Sequence, residues 1–95
     1  MRYLYVKWHH RFPDEPIELY SELDDARNEL RKVEIYEDGR IGYASVAVST
    51  QGSALSLEAL PELSVIALDT QFEPKEIGKG EFEEVWQRAI AAGNR

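Results

Sequence analysis

Residues 3–9, YLYVKWH, alternate between two sets of side chains, the period-2 signature of a β-strand. Leu4, Val6, Trp8 and His10 share one face, and Tyr3, Tyr5, Lys7 and His9 the other; the more apolar first set reads as the core face. The following FPDEP is a loop, because proline fixes φ and cannot donate to a ladder. Ile17 to Leu23 alternates again and predicts a second strand. Asp38-Gly39 then lies between two alternating runs, a favoured pair for a two-residue type I′ hairpin turn. Closing that turn with Glu37 opposite Arg40 sets Ile35 against Gly42, Val33 against Ala44 and Arg31 against Val46. In this register Val33, Ile35, Ala44, Val46 and Val48 form an apolar face, and Lys32, Glu34, Tyr36, Ile41, Tyr43 and Ser45 a polar, tyrosine-bearing one.

The second half changes period. Gln51-Gly52-Ser53 breaks the alternation, and Leu55 to Leu60 is an apolar connection. Pro61 opens a short helix over about residues 62–69, with Leu63, Ile66 and Ala67 at helical spacing. Gln71 to Ile77 reads as loop or a short edge strand. Phe82, Val85, Trp86, Ala89 and Ile90 then make a full apolar stripe, predicting a helix over about residues 79–92. Gly78 is its expected N-cap, Ile77 staples to Phe82, and Gly93 ends it. Strands followed by helices imply an α+β fold: an antiparallel sheet of three to four strands with both helices packed on one face, in a single domain spanning residues 1–95.

Composition narrows the function. A formal charge of −7 argues against nucleic acid, which demands a Lys/Arg surplus, and would steer the chain toward a basic partner. Without cysteine there is no disulfide framework and no thiolate chemistry. The opening MRYLYVKW is too short and too charged for a signal peptide, and no apolar run approaches the roughly 20 residues that span a bilayer, so the expectation is a cytoplasmic protein with no membrane partner.

No motif assigns chemistry. His9 and His10 are adjacent on a strand and point to opposite faces, so they do not form a metal site together. His10 reads instead as a hydrogen-bonded residue beside Trp8 at the core margin. The pairs Asp14-Glu15 and Asp24-Asp25 are turn formers unless burial drives their pKa values apart. No serine sits in a nucleophile elbow, and Gly78-Lys79-Gly80 is a helix entry rather than a phosphate loop. No catalytic residue, metal ligand or cofactor is therefore assigned. By strand parity Arg27, Glu29 and Arg31 run on from the core face, either as an ion-pair ladder or, with Trp8 and His10, as the lining of a small-ligand pocket at the sheet end. Tyr20, Lys32, Glu34, Tyr36 and Tyr43 share the outer face and are the candidate contacts for a protein partner. A homodimer packing those outer faces together is a further alternative.

The string Trp8-His9-His10-x-Phe12-Pro13-Asp14-Glu15-Pro16, Leu19-Tyr20-Ser21-Glu22-Leu23-Asp24-x-x-Arg27, Arg31-Lys32-Val33-Glu34 and Asp38-Gly39-x-x-Gly42-Tyr43-Ala44 resembles a family of small bacterial proteins known only as a domain of unknown function. The ending Glu76-Ile77 through Phe82-x-x-Val85-Trp86 is similar to that family's C-terminal helix, with Gly78 where a serine cap is expected. The resemblance carries no activity. The expectation is a non-enzymatic protein-interaction module, of which a toxin-neutralising, immunity-like protein is one concrete version.

Overall fold

The computed structural model describes residues 1–47 and 53–93. Four strands come first: β1 (Arg2–Trp8), β2 (Glu18–Leu23), β3 (Glu29–Ile35) and β4 (Ile41–Ser45). A one-turn helix α1 (Leu63–Ile66), a fifth strand β5 (Phe72–Ile77) and the long helix α2 (Lys79–Gly93) follow. The sheet runs β4-β3-β2-β1-β5 with antiparallel pairing throughout. The expected three to four strands are thus five. Of the two readings of residues 71–77 the edge strand is the one that forms, and Pro74 is tolerated in it because β5 lies at the sheet's edge.

That addition makes β1 a central strand, which corrects the choice of core face. Both of its faces are buried: Tyr3 on one side, Leu4 and Val6 on the other. The Tyr3 side is the front, where α2 packs. Phe82, Val85, Trp86 and Ala89 of the helix join Tyr3, Val33, Tyr43 and Ile77 in one cluster, with the Tyr3 and Phe82 rings 5.5 Å apart and Tyr43 edge-on to Trp86 at 5.4 Å. The helical stripe and its boundaries are as predicted, and Phe82 N–H closes on the Gly78 carbonyl at 3.2 Å.

The two helices do not share a face. Val65 and Ile66 of α1 line a hollow with Leu4, Val6 and Leu19, on the back of the sheet. The helix is also shorter than the expected 62–69. Glu62 provides no side-chain cap, and after Ile66 the chain tightens into successive turns, Leu68 N–H to Val65 and Asp69 N–H to Ile66.

The hairpin forms where Asp38-Gly39 predicts it, but one residue out of register. Within the turn only Gly39 has a positive φ, +92°, whereas a type I′ turn needs two such residues. Tyr36 N–H donates to the Arg40 carbonyl and Gly39 N–H to the Tyr36 carbonyl, each at 3.0 Å, which closes a three-residue loop. Asp38 favours this turn by accepting Arg40 N–H at 3.0 Å and Arg40 Nε at 2.8 Å. Val33 therefore faces Tyr43 instead of Ala44, and Arg31 faces Ser45 instead of Val46. A shift of one residue moves a whole strand to the other face. Tyr43 and Ile41 turn into the core under α2, Ala44 turns to the back, and Val46 ends 92% exposed beyond the strand. Val48 and the break at Gln51-Gly52 lie outside the described residues.

A Cβ at Gly39 would meet no atom within 4 Å, so a side chain there is opposed by backbone conformation alone. Gly39→Ala is expected to lower stability by about 1–2 kcal/mol in urea denaturation, and Gly39→Asn by clearly less. Equal costs for the two would contradict the left-handed turn. Cross-strand NOEs should join Val33 to Tyr43, not to Ala44.

Candidate functional site

The Arg27–Glu29–Arg31 row is split three ways by backbone geometry. Glu22 pairs with Arg31 while Leu23 pairs with Glu29, so Leu30 is an extra residue bulged out of β3. A bulge resets the alternation of faces, and strand parity fails across it. Arg31 consequently faces front, under α2. It donates to both carboxylate oxygens of Glu22, at 2.7 and 2.8 Å, and to Glu83 of the helix. Its guanidinium lies 4.9 Å from the Phe82 ring centroid and 5.0 Å from that of Trp86.

Glu29 faces back and is buried, accepting the Ser21 hydroxyl at 2.7 Å and the Ser56 N–H at 2.8 Å, with Lys32 Nζ at 3.4 Å. Arg27 sits before the strand at φ +66°, the one non-glycine residue in the left-handed region among those described. Asp24 forms the turn that holds it there, accepting Ala26 and Asn28 N–H at 2.9 Å each. Arg27 then donates Nε to the Leu60 carbonyl and Nη2 to the Pro61 carbonyl, while its own carbonyl accepts Leu60 N–H.

The outer-face candidates are divided between the two sides of the sheet. Tyr20 and Tyr43 belong to the front core or its margin, and Tyr43 is 7% exposed. Tyr36 is buried at the hairpin, with the Arg40 guanidinium 4.6 Å from its ring centroid. Lys32 and Glu34 lie on the back and hold the chain's own connection, Lys32 Nζ to the Ala54 carbonyl at 2.7 Å and Ser53 hydroxyl to Glu34 at 2.6 Å. The front is thus roofed by α2, and part of the back by the segment from Ser53 to Pro61. Hydropathy gave no sign of that cover, because polar groups do the tying.

The sheet end at Trp8 is different in kind. Five residues, about 17 Å of strand, separate Trp8 from Tyr3 and the Arg31 network, so Trp8 and His10 do not meet the arginines. They form a row of rings instead. Phe72 and Trp8 are 5.7 Å apart, Trp8 and His10 4.3 Å, and His10 and Phe12 5.4 Å. His10 is held by two backbone groups: its Nδ1 accepts Phe12 N–H at 2.9 Å, which leaves Nε2 as the donor to the Pro16 carbonyl at 2.8 Å. Trp8 Nε1 donates to Gln71 at 3.2 Å, and His9 meets Glu73 at 2.6 Å. Phe12 ends the row 60% exposed. Lys7, His9 and Arg11 line one hollow beside Trp8, and Pro13, Asp14 and Glu15 another. Among the described residues Lys7 and Arg11 make no ion pair. Alternation along β1 marked Trp8 and His10, but nothing local showed that Phe72, over 60 residues away, completes the row.

The titration pattern is that of a packed fold. Hydrogen bonds from Arg31 hold Glu22 and Glu83 below the usual carboxylate range, and backbone N–H groups do the same for Asp24 and Asp38. Burial, then the Glu18 carboxylate, pushes Tyr5 up to about 12, and the same two causes raise Tyr20. Among the described residues no three of His, Asp or Glu converge on a point that could hold a metal ion. None of their helices is long and apolar enough to cross a membrane.

A family model described as a domain of unknown function (DUF6881) matches residues 2–91. No curated protein and no solved structure matches the chain.

The Arg31 network has a pH signature. Glu22 and Glu83 titrate lower folded than unfolded, so the stability they contribute is complete above their ordinary value of 4.5 and is lost as pH falls through their folded values. Arg31→Met should cost about 3 kcal/mol at neutral pH, because it leaves the Glu22 carboxylate buried without its partner. It should also flatten the loss of stability below about pH 4.5. Denaturation melts at a series of pH values test both effects, and an unchanged acid slope in the variant would refute the assignment.

Proposed function

The chain belongs to this family of unknown function, and we propose that it is a non-enzymatic protein-interaction module whose contact surface is the Trp8–Phe12 end of the sheet. The row Phe72–Trp8–His10–Phe12 carries this reading. It is a continuous run of rings that begins in the packed edge of the sheet and ends on an exposed phenylalanine. Interfaces are anchored by aromatic side chains inside a polar rim, and here the rim carries Lys7 and Arg11 on one side and Asp14 and Glu15 on the other. The row is also rigid before binding. His10 is fixed at both ring nitrogens and Trp8 at its indole N–H, so little side-chain entropy is lost on contact.

Two further features support a binding role over catalysis. Hydrogen bonds hold Glu22, Asp24, Asp38 and Glu83 below the usual carboxylate range, the reverse of what a general acid at neutral pH requires. The charge of −7 steers a basic partner from a distance, while the mixed rim sets its orientation on arrival. Neutralising a toxin is one concrete form of such a module.

The test is capture of a partner from host lysate by wild type, Phe12→Ala and Trp8→Ala, each first shown to be folded, with Leu57→Ala, exposed near the opposite end of the sheet, as a distant surface control. Loss of a central aromatic anchor should weaken the specific partner by about 2 kcal/mol or more, roughly thirtyfold, and association should slow as salt rises. A partner retained equally by all four proteins would sink this assignment of the surface.

A further inference from the structure

The back of the sheet holds a second feature, unrelated to the aromatic row except that Phe72 borders both. Between the sheet and the segment that crosses it lies a hollow of about 330 Å³. Leu4, Val6 and Leu19 form its floor. Leu60 and Pro61 overhang it on one side, and Val65 and Ile66 of α1 wall it on another. Its volume falls at the small end of the range of about 300–1,000 Å³ in which proteins hold small molecules. The hollow opens to solvent, and an apolar guest laid in it removes apolar surface from water.

Among the described residues only two polar side chains touch the hollow, and neither asks for a ligand's charge. The Ser21 hydroxyl is committed to Glu29, and Asp69 accepts Gln71 N–H at 3.0 Å. Asp69 is also the one ionisable group among the described lining residues, so an anion entering the site meets a carboxylate at its rim within a chain of net charge −7.

The overhang is held in place by design of the backbone. Three hydrogen bonds tie Leu60 and Pro61 to Arg27, a residue kept in the left-handed region at φ +66°. A non-glycine residue in that region costs about 1–3 kcal/mol and persists only where its surroundings over-determine it. Here the three hydrogen bonds fix where Leu60 and Pro61 sit, at the border of the hollow floored by Leu4 and Leu19.

We infer that this hollow is a binding site for an uncharged apolar small molecule, entering beside Val65 and lying between β1–β2 and α1. A ligand here displaces no ordered charge and buries apolar surface on the sheet and on α1 at once. It would brace α1, which is a single turn with no side-chain cap.

The probe is 1-octanol, titrated into methyl-labelled protein at neutral pH alongside sodium octanoate. Octanol should shift the Leu4, Val6, Leu19 and Ile66 methyls saturably, and octanoate should bind at least about tenfold more weakly. Val65 is 52% exposed, so Val65→Trp is compatible with folding and should obstruct the mouth, weakening octanol by about tenfold or more. Leu57→Trp, on a fully exposed side chain outside the lining, should leave binding unchanged. The inference is overturned if octanol shifts stay linear or scatter over the surface, if octanoate binds as tightly as octanol, or if folded Val65→Trp binds like wild type. Sedimentation equilibrium supplies a separate check: a wild-type dimer abolished by Val65→Trp would assign the hollow to a second copy of the chain and would also overturn it. None of these outcomes touches the Phe12 and Trp8 variants, so the two proposals stand or fall separately.

Discussion

Arg31 joins the sheet to the long helix. Its guanidinium is flanked by Phe82 and Trp86 and bridges Glu22 on β2 to Glu83 on α2. Taking such a charge out of water costs several kcal/mol, and only close hydrogen-bonded partners on more than one side recover it. Those partners exist in one relative placement of sheet and helix. Apolar packing of Phe82, Val85 and Ala89 supplies most of the attraction, but apolar contacts are not directional. The arginine adds direction, selecting one rotation and one height of the helix over the strands.

The bulge at Leu30 is what makes this possible. Without it, Glu29 and Arg31 would both face the helix and place an acid in the apolar front cluster. With it, the acid turns to the back, where Ser21, Ser56 and Lys32 receive it. Each charge then has its own side of the sheet. The back face uses its polar groups in the same way: Lys32, Glu34, Glu29 and Arg27 all hold the connecting segment through its backbone or its serines. The sheet thus has helix on one face and laced chain across part of the other.

The elements were largely legible in sequence. Alternation marked the first strands, the Asp-Gly pair marked the hairpin, and the stripe from Phe82 to Ile90 marked α2 to within a residue or two. These signals are local, because a strand's faces and a helix's stripe repeat within a few residues. The bland readings of single residues were legible too. Asp24 is a turn former, and His10 is held by backbone groups beside Trp8.

What sequence left open turned on one-residue or long-range decisions. Asp-Gly is compatible with a two-residue or a three-residue loop, and the choice moves Tyr43 from the surface into the core. The bulge changes parity without altering composition, so Arg27, Glu29 and Arg31 look aligned until the pairing with β2 is known. Pro74 argues against a strand unless that strand is at an edge, and edge position is a property of the whole sheet. The aromatic row and the back hollow are of the same kind: each joins β1 to residues some 50–65 positions later. The sequence by itself determined which segments are strands or helices and which side chains are apolar, because those depend on near neighbours. Only the tertiary structure decided which face each charged residue takes and which distant rings meet, because register and strand order are set by contacts between remote parts of the chain.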